Sequence, residues 1–261
     1  MPPDPADAAR VNLESFTRRA DCFTERTRGD NIPPLARAAA SIGFGPGRWA
    51  ADFGVGTGNS AVPFLQMGGR VLGVDLTPAM IRSGRRRLAG EGLARGAHFV
   101  LALCERAPLP DGAVDCAVCR NTFHHLAAPG EVFGEMARVV KPGGHVILMD
   151  HCYPDDAAGR ARIEEIDRVR EPAMVRILSL KDMRALFAER GLEVVRAESM
   201  SRRDSFENWM AGAGTEAASV PLVRAGVERL RDEGGSWMAP EGEGAALTVL
   251  RWDALVVGRK G

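Results

Sequence analysis

The strongest constraint on the fold is the nonapeptide Ala51-Asp52-Phe53-Gly54-Val55-Gly56-Thr57-Gly58-Asn59. An apolar run enters three alternate glycines and a helical pattern leaves them. Glycine permits positive φ and close backbone approach to a ligand. The amino end of the following helix then offers free N–H groups to negative charge. A strand must precede such a turn and a helix must follow it, and the surrounding pattern repeats that unit. Strands are predicted at 48–53, 70–75, 97–101, 113–120 and 144–151, each short, apolar and bounded by Gly or Pro. Helical windows at 59–67, 78–89 and 130–140 alternate with them. Pro78 suits a first helical turn, with Thr77 as its N-cap. Alternation of this kind implies a doubly wound, mostly parallel, Rossmann-like α/β sheet with helices on both faces.

The flanks add helices at 5–28 and 32–42 before the sheet, and at 157–170 and 180–190 after it. A strand at 192–197, helices at 206–213 and 220–232, a loop at 234–244 and a last, antiparallel strand at 247–257 complete the pattern. This divides the chain into an N-terminal helical cap, 1–45, and a main domain, 46–261, with acceptor-site helices around 152–190 and 204–233.

Asp75 ends the second strand, 17 positions after Gly58. A carboxylate there can accept from both ribose hydroxyls of a nucleoside cofactor at the carboxyl edge of the sheet. The dinucleotide fingerprint is G-x-G-x-x-G, whereas this chain reads G-x-G-x-G with Asn59 where that glycine belongs. Asp52 would repel a pyrophosphate but suits the ammonium of an amino acid. Both points favour S-adenosylmethionine over a nicotinamide dinucleotide.

Four segments resemble the class I S-adenosylmethionine-dependent methyltransferases of the type 11 group, and are similar to the ubiquinone/menaquinone-biosynthesis enzymes. They are residues 52–58, 73–80, 108–125 and 138–144. The resemblance implies methyl transfer to a small-molecule acceptor, O-, N- or C-linked. It also implies roles. Gly54, Gly56 and Gly58 pass under the methionine part, Asp75 holds the ribose, and Leu76 and Met80 lie against the adenine. Leu103, Cys104 and Glu105 flank the adenine edge, and Arg120 and Asn121 complete the cofactor set. The chain departs from the pattern at Leu103, where the family usually has Asp, and at Met174, which replaces a His before Val175. A cofactor-binding protein or cyclase on the same scaffold is the alternative, ahead of a nicotinamide-dependent oxidoreductase.

A general base assists when the acceptor is a hydroxyl or an enolisable carbon. His124, just past the fourth strand, is the first candidate, and His151, past the fifth, is the second. No metal is expected. Cys116 and Cys119 mimic a zinc pair, but residues three apart on a strand point to opposite faces. Phe16, Phe23 and Arg28 are expected to close over the cofactor, and Arg176 to meet an acidic acceptor. Trp209 and Phe206 are read as core, and Arg85-Arg86-Arg87, Asp182, Arg184 and Glu189 as solvated helix faces. Removal of Asp75 is expected to weaken cofactor binding more than it weakens the fold.

The balance of 34 basic and 34 acidic residues gives zero formal charge and argues against a nucleic-acid partner. No apolar stretch spans a bilayer and the amino terminus does not read as a signal peptide. Five cysteines make no disulfide framework, so a reducing cytoplasm is expected. A homodimer is compatible with all of this.

Overall fold

Strand and helix follow one another because apolar residues recur at spacing two and then at spacing 3.6. In the computed structural model, residues 4–26, 32–211, 213–233 and 237–261 are described. Helices α1 (Pro5–Arg26) and α2 (Ile32–Ser41) come first. Then β1 (Trp49–Phe53), α3 (Ala61–Gln66), β2 (Arg70–Asp75), α4 (Pro78–Gly90), β3 (Ala97–Leu101), β4 (Val114–Arg120), α5 (Pro129–Val139) and β5 (Val140–His151) alternate. Helices α6 (Ala157–Arg170) and α7 (Leu180–Glu189), β6 (Leu192–Ser205), α8 (Phe206–Met210), α9 (Val220–Glu233) and β7 (Thr248–Lys260) follow.

The strands form one sheet in the order β3-β2-β1-β4-β5-β7-β6. β1 to β5 pair in parallel, and β7 runs antiparallel to both β5 and β6. The chain reverses its winding between β1 and β4, which opens a crevice beyond their carboxyl ends, the usual ligand site of such sheets. Ala50, Val71, Cys116, Val118, Ile147 and Leu255 face α2 and α3 on one side of the sheet. Ala51, Phe53, Cys119, Leu148 and Val256 face α5 and α7 on the other. Cys116 and Cys119 thus occupy opposite faces. A third cluster joins Phe206 and Trp209 to α6 and α9, above the carboxyl edge.

Three of the differences from the sequence reading have a clear physical cause. β5 starts four residues early, at Val140, and passes through Pro142-Gly143-Gly144. A register shift between Val114 and Cys116 absorbs those breakers. β6 extends to Ser205 because its alternating burial marks an edge strand with one solvated face, so its charged residues do not end it. α3 begins only at Ala61, since Asn59 and Ser60 still belong to the glycine turn. Two helix-face readings also change. Arg87 is largely buried; its guanidinium donates to the Thr57 carbonyl and to the Asn59 side chain, so it pins the end of the glycine turn. Asp182 closes a capping box with Ser179 at the start of α7 and pairs with Arg160 at 2.7 Å. Thr77 does occupy the N-cap of α4, but its side chain makes no capping bond.

Candidate functional site

The glycine turn leaves β1 with Gly54 at φ 72°. A Cβ at Gly54 would run into the Thr122 side chain, which itself donates from Oγ1 to the Gly54 carbonyl at 3.2 Å. Asp75 fastens the same turn. Its Oδ2 accepts from Gly56 N–H at 2.8 Å and its Oδ1 from Thr77 N–H at 2.7 Å. Burial holds the Asp75 carboxyl above its ordinary value, against the lowering effect of those N–H donors.

Asp52 lies behind the turn, fully buried, with Oδ2 accepting from the Ser60 hydroxyl at 2.6 Å. Burial pushes its carboxyl up to about 7, although the Ser60 bond and the charge of Arg120 oppose the rise.

One open cavity, about 1010 Å³ including its mouth, sits over the turn. Gly54, Gly56, Asp75, Leu76 and Met80 line it, as do Leu103, Cys104, Glu105, Arg120 and Asn121. The structure therefore brings together ten of the twelve residues expected to hold a cofactor. Gly58 and Asp52 lie outside the lining, Gly58 against Leu88 and Asp52 beneath the turn. Leu103, half-exposed, forms an apolar lip where the family has a carboxylate. Helix α1 contributes Ala8, Asn12 and Phe16 as a lid. Asn12 Nδ2 donates to the His125 carbonyl at 2.8 Å, and Phe16 meets the His125 ring edge-on at 4.9 Å. Phe23 and Arg28 lie outside the described side chains. α2, by contrast, buries Leu35, Ala38 and Ala39 in the core and does not line the cavity.

Two sequence signals were missed here, Asn12 and His125, while Asn121, expected in the cofactor set, lines the cavity with an unusual backbone. Asn121 adopts φ 51°, a left-handed conformation that Asn tolerates better than most residues, at the end of β4. Asn12 is an unremarkable polar residue on a helix until α1 folds over the sheet edge. His125, not His124, lines the cavity.

The histidines form a column. Ring centroids are 4.0 Å apart for His125 and His124, and 5.0 Å for His124 and His151. Each imidazole Nδ1 has an acceptor: the Ala173 carbonyl at 3.0 Å, Asp150 at 2.6 Å and Asp253 at 2.7 Å respectively. Burial disfavours a charged His124, yet Asp150 outweighs that and raises it. Burial and the adjacent His124 lower His125 to about 3, so it is neutral. Burial would raise Glu171, but Arg170 and the neighbouring cations bring it down to about 2. Its carboxylate lies 3.8 Å from His125 Nε2 and 3.1 Å from Arg170. His124 is thus enclosed, and Asp150 uses its two oxygens on the backbone N–H groups of His124 and His151 as well as on the His124 ring. His151 is partly exposed and opens onto a second, smaller cavity beyond the column. Met174 is buried under Tyr153, and Arg176 lines a separate surface groove with Arg160 and Arg168.

Residues 51–148 match a family described as a methyltransferase domain. The matched stretch, under half of the chain, is similar to the class I S-adenosylmethionine-dependent methyltransferases. Among proteins of known sequence it is similar to the uncharacterized methyltransferase YcgJ of Bacillus subtilis, with 28% identity over 70% of this chain and 72% of that one. It is 31% identical to the ubiquinone/menaquinone biosynthesis C-methyltransferase UbiE of Pseudomonas putida over 115 residues, which span 45% of that relative. Among solved structures, YcgJ superposes with a TM-score of 0.78 at 23% identity, covering 87% of this chain and 97% of that one. The [4+2]-cyclase SpnF superposes with a TM-score of 0.64 at 17% identity, covering 88% and 81%. At these identities the likeness is one of fold. No helix among the described residues is long and apolar enough to cross a membrane.

Proposed function

We propose that this chain, working in the cytoplasm, transfers the methyl group of S-adenosylmethionine to a small-molecule acceptor held at the carboxyl edge of the sheet. One observation carries the reading. Asp52 Oδ1, Thr57 Oγ1, Asn121 Oδ1 and Asn12 Oδ1 are buried without hydrogen-bond partners among the described residues. Three of those four residues line one cavity. Buried polar atoms are nearly always satisfied, so a polar ligand completes the set, and an amino-acid nucleoside matches it. When bound, S-adenosylmethionine supplies a methyl group on a positively charged sulfur.

The chain's own residues would do the rest. Gly54 and Gly56 leave room for the methionine part, with Gly58 shaping the turn. Asp52 offsets the ammonium charge from beneath it. Asp75 retains acceptor capacity for the ribose, because each oxygen has a second lone pair. Leu76 and Met80 flank the adenine, with Leu103, the Cys104 backbone and Glu105 along its edge. Arg120 and Asn121 border the reacting end, and α1 excludes water. His151 is the base we favour. Its Nδ1 faces Asp253, which leaves Nε2 to take a proton. His124 acts through Asp150 as a positioning residue, since its ring is enclosed. Displacement at a sulfonium needs alignment above all, and α1, α6 and α8 supply it.

The test is direct. Calorimetry should show binding of S-adenosylhomocysteine and none of NAD, and incubation of S-adenosylmethionine with small-molecule acceptors should release S-adenosylhomocysteine. Binding of NAD in its place would refute the reading.

A further inference from the structure

Two stretches distant in sequence meet beside the cofactor cavity, the turn at 123–125 and the segment 171–176 after α6. Val175 and Arg176 donate their backbone N–H groups to the His124 carbonyl at 2.8 and 3.2 Å. His125 Nδ1 donates in return to the Ala173 carbonyl at 3.0 Å. This lacing brings Glu171 against His124 and His125, and all three side chains are buried. His125 is neutral. A carbonyl only accepts, so the ring proton sits on Nδ1 and Nε2 carries a lone pair. That nitrogen lies 3.8 Å from Glu171 Oε1. The carboxylate is ionised and can only accept. Two lone pairs therefore share a gap too wide for a hydrogen bond. His124 adds a third donor atom. Its Nδ1 is taken by Asp150 at 2.6 Å, which leaves Nε2 as its remaining ring nitrogen. One ligand atom from each of the three residues lies within 4.8 Å of the others. Arg170 holds the other Glu171 oxygen at 3.1 Å and is shared with Asp167. Arg19 Nη1 stands 3.7 Å from Oε1, beyond hydrogen-bond reach. Around the imidazoles the buried carboxylates of Asp150, Asp167 and Glu171 outnumber these two guanidiniums, so the surroundings favour a further cation.

We propose that His124 Nε2, His125 Nε2 and Glu171 Oε1 bind one divalent transition-metal ion, zinc by its donor preference, at the wall of the cofactor cavity. Zinc stands about 2.0–2.2 Å from nitrogen and oxygen donors, so two donors of a tetrahedral site lie about 3.4 Å apart. The 3.8 Å between His125 and Glu171 closes to that with a small side-chain turn. Each imidazole already gives its Nδ1–H to an outer acceptor, the Asp150 carboxylate or the Ala173 carbonyl. That is the arrangement which fixes the tautomer and the aim of a metal-bound histidine. Two nitrogens and one oxygen disfavour magnesium and calcium, which take oxygen donors. Three protein donors leave a fourth position for water or an oxygen of the acceptor. His125 lines the cofactor cavity, which gives the ion its way in. Cys116 and Cys119, on opposite faces of the sheet, take no part. The site goes beyond the methyl-transfer reading and does not depend on it.

The experiment uses the full chain, stripped with a chelator and titrated with zinc chloride in a calorimeter. One zinc should bind per chain, and magnesium chloride should give no heat of binding. X-ray absorption at the zinc edge should show imidazole and oxygen neighbours and no sulfur. Cobalt(II) in place of zinc should give the visible bands of a four- or five-coordinate ion. His125→Gln and Glu171→Gln should each weaken zinc binding by at least about a hundredfold, more than the loss of an outer partner costs. His98→Ala, at an exposed histidine, should change nothing. Absence of stoichiometric binding, sulfur among the neighbours, or wild-type affinity in His125→Gln would overturn the proposal. Should a variant fail to fold, the absorption spectrum of the wild-type complex decides alone. Binding of S-adenosylhomocysteine to the stripped protein is measured alongside, so that a missing metal site and a missing cofactor site are told apart.

Discussion

Replacing Asp52 by Asn separates what the buried carboxylate costs the fold from what it does for the cofactor. Burial lifts its carboxyl from the ordinary 3.8 to about 7. A raised acid is protonated in the fold at a pH where the unfolded chain has already ionised. Its burden on stability therefore grows as the pH rises from about 4, and is complete above about 7. At 1.36 kcal/mol for each tenfold change in proton affinity, that burden is about 4 kcal/mol. Asn still accepts the Ser60 hydroxyl and carries no charge. The cofactor-free D52N protein should therefore melt several degrees higher than wild type at pH 8, and about equally at pH 4. Cofactor binding should behave in the opposite way. An ammonium placed near Asp52 favours the ionised form, so binding expels a proton. At pH 6 only about one molecule in eleven starts ionised, which makes affinity for S-adenosylhomocysteine about tenfold weaker than at pH 8. Calorimetry at pH 6, 7 and 8, in buffers of different ionisation enthalpy, reads both the affinity and the proton count. D52N should bind weakly and almost independently of pH over this range. A variant that kept the wild-type pH slope, or that melted lower at pH 8, would refute the argument.

Asp75→Ala should now harm the fold as well as the cofactor. It strands the N–H groups of Gly56 and Thr77, at about 1–3 kcal/mol in thermal or urea unfolding, with loss of S-adenosylhomocysteine binding besides. Arg87→Met removes the guanidinium that holds Thr57 and Asn59; affinity should fall about tenfold in calorimetry although Arg87 does not line the cavity. Glu171 and Asp253 are held down to about 2, so their stabilisation is full above about pH 4.5 and drains away as the pH falls toward 2. Glu171→Gln should flatten that acid limb in circular dichroism; Arg170 keeps Asp167 as a partner at 2.6 Å, so stability at pH 7 should fall by about 1–3 kcal/mol, the cost of one charge-assisted bond.

Local chemistry is legible where a residue acts through its own backbone. Gly54 advertises its turn because no other side chain tolerates that conformation so close to Thr122. Asp75 is recognisable by its place at a strand end. Edges are harder: the charged run from Glu198 to Asp204 resembles a loop, yet it pairs with β7 along its whole length. Paired residues are harder still. His124 and His125 are equivalent in a string of letters, and only the curl of residues 123–125 sends one to Asp150 and the other to the cavity.

The chain's own letters settle the α/β alternation, the glycine turn and the nucleoside-type cofactor, because strand and helix periods, positive φ and a strand-end carboxylate are all local properties. Packing alone decides the rest. It sets α1 over the cavity, sinks Arg87 beneath the turn, lines up three imidazoles against three acceptors, and gathers residues 153, 209, 237 and 252 around one space. Those meetings join positions more than a hundred residues apart, and only the burial of shared surface in three dimensions selects them.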